Sequence, residues 1–219
     1  MKKILLLLAG VISLSASSFA QDDKYTAAMA GKVVAVDTSH KADELMALSA
    51  SFERIADAEK TKWLPYYYAA LTQVNAAYMM SMNKPDAAKT DPIADKAEAL
   101  LGKAEALSKD NSEIYVVKKM IATLRMMADP MTRYMQYGPK AEEALQMAMK
   151  LNPENPRVYM LQAQDKFYTP EQFGGSKAEA KKLFELSGKK FETFKPATSL
   201  DPDWGRSTLK YFMSQMPGA

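Results

Sequence analysis

The strongest constraint on the fold is a spacing. The stretch KAEALLGKAEALSKDNSEIYVVKKMIA (96–122) lies over KAEEALQMAMKLNPENPRVYMLQAQDK (140–166) without a gap. Lys96-Ala97-Glu98 falls on Lys140-Ala141-Glu142, Ala104 on Ala148, Leu107 on Leu151, Asn111 on Asn155 and Tyr115 on Tyr159, each offset by 44 residues. Two Ala/Glu/Lys-rich helices resemble each other through composition alone. A matched turn with a tyrosine beyond it does not follow from composition, and a fixed offset marks stacked supersecondary units.

Each unit reads as a helical hairpin. Ala141, Ala144, Leu145, Ala148 and Leu151 fall on one stripe at helical spacing, as do Ala180, Phe184, Ser187, Phe191 and Phe194. Ile114, Val117, Ile121 and Leu124 form a comparable face in the helix that opens a unit. Between the units, Pro153 and Pro156 end one helix and let the next begin near Arg157, because proline cannot continue a helix and disfavours helical geometry before it. Joints such as SKDNSE and NPENPR are short, which puts the remaining length inside the hairpins, in 83–92, 128–139 and 168–177. Those turns would share one edge, where repeat arrays often bind. They carry Arg133, Tyr134 and Tyr137, and Phe173 beside Gly174-Gly175, a pair suited to positive φ and close backbone approach.

These units resemble tetratricopeptide (TPR) repeats. The second-helix pattern Ala-x3-large-x2-Ala-x4-Pro is met by Ala141, Leu145, Ala148 and Pro153, with Tyr159 at the aromatic position. The earlier unit offers Ala97, Leu101, Ala104 and Tyr115, with Lys109 in place of proline; a third offers Ala180, Phe184 and Ser187. Trp63 resembles the aromatic that opens the first hairpin, and the resemblance covers residues 60–195. The departures are unit length, since TPR units run to about 34 residues, and Lys118-Lys119 where a buried Leu and a small residue belong. The resemblance implies an all-α, right-handed solenoid of about three hairpins with capping helices at both ends. It also implies a concave wall lined by Leu64, Tyr68, Val116, Met120, Met160, Gln164 and Phe167, apolar and lacking the carboxylate-gripping set of chaperone-type TPR domains.

Residues 1–20 read as a cleavable secretory signal: Lys2 and Lys3, an apolar run from Ile4 to Leu14, then Ser18-Phe19-Ala20. The run falls short of the roughly 20 residues a membrane span needs. Residues 21–40 read as a flexible lead-in, 41–59 as a cap helix, 60–195 as the repeats and 196–219 as the C-terminal cap anchored by Trp204 and Phe212, in one domain. Without Lys2 and Lys3 the charge balance is 27 basic against 26 acidic residues, with no basic cluster for nucleic acid. There is no cysteine and one histidine, His40, so no disulfide framework, thiolate or histidine-based triad is expected. No phosphate loop and no zinc or calcium spacing is present, and the 16 methionines read as packing residues of helices.

The expectation is a periplasmic protein of a Gram-negative bacterium without catalysis, cofactor or metal. It binds a protein or peptide of the cell envelope, through the wall or the loop edge. The alternative is a carrier of a small lipophilic ligand in the apolar groove, akin to TPR-like subunits associated with periplasmic transporters. Expressed with its leader in a Gram-negative host, the protein should be recovered from the periplasm with Gln21 as its first residue. N-terminal sequencing checks this, and an intact Met1 would overturn it.

Overall fold

The computed structural model describes residues 22–82 and 85–216; residues 1–21, which include the expected signal, 83–84 and 217–219 lie outside the described residues. Helices follow one another: α1 (22–38), α2 (Ala42–Glu59), α3 (Trp63–Ser81), α4 (Ala87–Leu107), α5 (Ser112–Met127), α6 (Pro130–Leu151), α7 (Pro156–Tyr168), α8 (Lys177–Thr193) and α9 (Arg206–Ser214). A 3-10 turn, Glu171–Phe173, precedes α8. No strand occurs among the described residues, and the fold is all-α with a solenoid-like stacking of helical hairpins.

The hairpins are α3/α4, α5/α6 and α7/α8. Their starts are set locally. Asn111 and Asn155, 44 residues apart, accept the N–H of Glu113 and Arg157 and so cap α5 and α7. Asp86, Asp129 and Ser176 do the same for α4, α6 and α8. Pairing is antiparallel: Ser112 Oγ donates to Ala148 O at one end of α5/α6 (2.9 Å), and Arg133 donates to Arg125 O at the other (3.3 Å).

The extra length of the units does not lie in loops. Residues 130–139 are the first turns of α6 and residues 87–92 the first turns of α4, each with a proline inside the helix, Pro139 and Pro92. An interior proline costs a helix about 3 kcal/mol, which is why these stretches read as turns. Here both prolines are exposed, so the carbonyls they leave unpaired face water. Pro130 stands at the start of α6, where its missing N–H costs nothing. Of the three segments, 168–177 is a loop over most of its length.

The lead-in is also helical. Tyr25, Met29 and Val36 are buried on one face of α1, with Val33 packed against the core. The stripe was hidden in the sequence by Val33, Val34 and Val36, β-branched residues that propensity places elsewhere.

The concave wall is closed. Tyr68 donates its hydroxyl to Leu200 O (2.8 Å), and Trp204 Nε1 donates to Tyr67 Oη (2.8 Å), which lays the segment 196–205 across the helices. Gly205 has φ +109°, and a Cβ there would come within 3.2 Å of Met160 and Phe191, so only glycine fits. Asp37 at the end of α1 accepts the Gly205 N–H and the Ser207 hydroxyl (both 2.9 Å), joining α1 to the start of α9. Leu64, Tyr68, Val116, Met120 and Met160 are therefore core residues, not an open wall.

Beneath the segment lies a buried charge network. The Arg157 side chain has no exposed surface; its Nε donates to both Glu113 oxygens (3.0 and 2.9 Å), and its Nη1 donates to Trp204 O (3.2 Å). Its guanidinium stands 4.7 Å from the Phe194 ring centroid. Tyr67 Oη and Asn155 Nδ2 donate to the same carboxylate (3.1 and 2.7 Å). Desolvation opposes the Arg157 charge, but Glu113 outweighs it and the guanidinium is held above its ordinary range. Lys119, unexpected at a small-residue position, is buried and bonded to Asp165 of α7 (2.5 Å). Arg157→Met alone strands the Glu113 carboxylate and should cost about 3–5 kcal/mol in chemical denaturation. Glu113→Leu with Arg157→Met should recover most of that loss. A single variant as stable as the parent would overturn the assignment.

Candidate functional site

The odd-numbered helices α3, α5 and α7 run the same way, so their C-terminal ends share an edge with the starts of α4, α6 and α8. Their opposite ends hold the Glu113–Arg157 network. Buried core accounts for the aromatics there, but this edge keeps its apolar side chains in water. Met82 closes α3, Met131, Tyr134 and Met135 stand on the first turns of α6, Tyr168 ends α7, and Phe173 caps the 3-10 turn, all of them exposed.

The densest part is an aromatic platform built on α9. Phe212 is 5% exposed and lies at its centre. It stacks on Phe184 of α8 at 5.0 Å and meets Phe167 and Tyr168 of α7 edge-on at 5.5 and 5.8 Å. Tyr211 meets it at 5.4 Å, also edge-on. Offset and edge-to-face pairs of this kind are favoured by the ring quadrupole. Helical phase explains the arrangement: Phe212 turns inward with Leu209 and Met216, which leaves Tyr211 outside. Tyr168 is 67% and Tyr211 55% exposed, two phenols flanking a buried ring. Partial burial, then the neighbouring Tyr211, hold the Tyr168 phenol above its ordinary value, so it is a neutral hydrogen-bonding group at physiological pH.

The loop beside the platform is shaped by its glycines. Gly174 takes φ +88°, and a Cβ on Gly175 would fall 1.7 Å from Thr169 O. The tight closure is held by Gly175 N–H to Pro170 O (3.2 Å) and Ser176 N–H to Lys166 O (3.0 Å). It presents Phe173 outward. Lys177 Nζ lies 4.8 Å from the Phe167 ring centroid, which supplies a cation at the margin of the platform.

The residues expected to bind thus separate. Leu64, Tyr68, Met120 and Met160 are interior. Gln164 is half-buried, and Phe167 is half-buried within the platform. Tyr134 and Phe173 are exposed at the edge, and the Tyr134 ring lies over Gly138, where a Cβ would be 3.0 Å away. Tyr137 is half-buried under Arg125 and Lys140. Arg133 is not a free contact residue, because both its terminal nitrogens donate to Asp91 (2.8 and 2.9 Å). Sequence reading missed Tyr168, Tyr211 and the central role of Phe212. The signal available was the pairing of aromatics, Phe167-Tyr168 and Tyr211-Phe212, in which one ring is buried and its neighbour is left outside.

In chemical terms the surface offers flat stacking faces, phenols and thioethers. Among the described residues no group of three His, Asp, Glu or Cys could hold a metal ion, and no helix is long and apolar enough to cross a membrane. His40 is exposed in the turn between α1 and α2.

The Arg133 pair has a pH signature. Its hydrogen bond, then its charge, hold the Asp91 carboxyl below the ordinary range. That contribution is present above the unfolded carboxylate value and is lost as pH falls through the lowered one. Arg133→Ala should cost a measurable amount, about 0.2–1 kcal/mol, at neutral pH, and the difference from the parent should vanish in strong acid. A neutral-pH cost of zero in thermal melts would contradict the structural role.

No family model and no curated protein matches the chain. Among solved structures, the HusA haemophore from Porphyromonas gingivalis is similar, with TM-score 0.76 and 34% sequence identity. The match covers 87% of this chain and 92% of that one.

Proposed function

The chain belongs to the family of the HusA haemophore, and from that premise we propose that it is an exported protein that captures haem on the α7/α9 aromatic platform. The observation that carries the reading is the pair of exposed phenols, Tyr168 and Tyr211, set around Phe212. A porphyrin is a wide, flat apolar ring with two carboxylates. A surface that binds it needs aromatic faces to stack on and cations at the margin, and this one has both. The reading favours the class of small-ligand carriers over an adaptor for envelope peptides, and it has no use for catalysis. The hairpins are elongated units of the TPR kind in this reading.

Iron ligation by a pair of histidines or by a thiolate is excluded within one chain that holds one histidine and no cysteine. The remaining donors at the platform are the phenol oxygens of Tyr168 and Tyr211. Tyrosine is an established haem ligand. Stacking and desolvation carry most of the affinity, and the phenols orient the ring.

Titration of ferric haem into the exported protein should give a saturable Soret change. Tyr168→Ala with Tyr211→Ala should weaken binding by about tenfold or more, since each stacked aromatic pair is worth about 0.5–1.5 kcal/mol. The melting temperature should fall only modestly, because both side chains are exposed and their loss removes edge-on contacts with Phe167 and Phe212 without opening the core. Undiminished affinity in the double variant would move haem elsewhere, and no Soret change in the parent would end the reading.

A further inference from the structure

Met29, Met120, Met160 and Met216 are buried, as methionines that serve packing are. The tip of the α5/α6 hairpin departs from that rule. Met126, Met127, Met131 and Met135 fall within ten residues there. Met131 is 91% and Met135 82% exposed, so neither side chain contributes to a core. Stacking of the units does not call for them either. At the 44-residue offset their places in α4 are held by Ala87 and Asp91. Two thioethers one helical turn apart thus stand in water, at positions where the fold has no use for apolar volume.

We propose that Met131 and Met135 hold a soft monovalent metal ion of the Cu(I) class. Residues i and i+4 of a helix share a face, with Cβ atoms about 5–6 Å apart. Two long, unbranched side chains at that spacing can close on one ion from both sides. Thioether sulfur is a soft donor, and soft donors select Cu(I) over magnesium or calcium. The tip itself is fixed in place: Met126 O accepts the Asp129 N–H (3.3 Å), and Arg133 Nη1 donates to Arg125 O (3.3 Å). These bonds set Met126 and Met127, both half-buried, beside the start of α6, where one of them can supply a third sulfur. The neighbouring hard donors are committed elsewhere. Both Asp91 oxygens accept from Arg133, and Asp129 caps α6 through the Thr132 N–H. The Tyr134 ring is folded back over Gly138 and leaves the two thioethers uncovered. What the tip presents is sulfur without competing carboxylate, which is the chemistry of a soft ion. The pair shares no residue with the Tyr168/Tyr211 platform and does not depend on the haem reading.

The test is calorimetric titration of the exported protein with silver(I) nitrate in chloride-free buffer, repeated anaerobically with Cu(I) under ascorbate and with Zn(II). The parent should bind the two monovalent ions saturably, one per chain, and Zn(II) not at all. Met131→Leu with Met135→Leu keeps apolar volume and removes only the sulfurs. It should abolish the saturable phase and leave the melting temperature unchanged. Tyr168→Ala with Tyr211→Ala should bind silver as the parent does, so failure of the haem reading is separately visible. A second readout is peroxide footprinting, because a thioether whose lone pair is held by a metal is slow to form the sulfoxide. Silver should protect Met131 and Met135 but not Met82, which is 76% exposed on the same edge and serves as the internal control. No saturable binding in the parent, equal binding in the double leucine variant, or equal protection of Met82 overturns the proposal.

Discussion

A guanidinium without exposed surface, Arg157, sits between the carboxylate of Glu113 and the rings of Phe194 and Trp204. Charge in that setting is tolerable only when every donor finds an acceptor, and here Glu113 and Trp204 O supply them. The pair need not be more stable than an apolar one of equal volume. Its effect is on register. Glu113 and Arg157 occupy the same position in successive units, so a slip of α7 against α5 by one turn would separate them and leave both charges buried. Tyr67 of α3 joins the same carboxylate, and three units are thereby locked in one alignment.

That alignment decides where a ligand can go. Once Trp204 hydrogen-bonds to Tyr67 and Leu200 to Tyr68, the apolar interior of the array is filled with protein. The densest surplus of aromatic surface lies where the filling segment ends. Helix α9 is nine residues long, enough to bury Leu209 and Phe212 but too short to cover Tyr168, and its own Tyr211 points away. The platform is a consequence of incomplete closure at one edge, with the charge network at the other.

Much of this architecture could be read from the residues. The offset of 44 located the hairpins because equal N-caps, Asn111 and Asn155, and equal buried faces repeat with it. Two kinds of feature escaped. Pro92 and Pro139 read as turns because helix propensity is a local quantity, while their helices are held by capping and by packing against neighbours. The concave wall was misjudged because Leu64, Met120 and Met160 look the same whether they await a peptide or a tail of the same chain. What separates the two is the segment 196–205, which hydrogen-bonds to Tyr67 and Tyr68, and its docking cannot be read from its own residues. Of the candidate binding residues, Phe173 was recognisable from its Gly-Gly neighbour. Tyr168 and Tyr211 were not, because exposure of one ring in an aromatic pair depends on which neighbour reaches the core.

The junction of Asp37 with Gly205 and Ser207 joins residues 168 and 170 positions apart. Open solenoids unfold from their ends, since a terminal unit has a neighbour on one side only. Here the first and last described helices share hydrogen bonds, so fraying of either gives up contacts with the other. The ends of the array are thereby coupled, and its outer units lose stability together and not one by one.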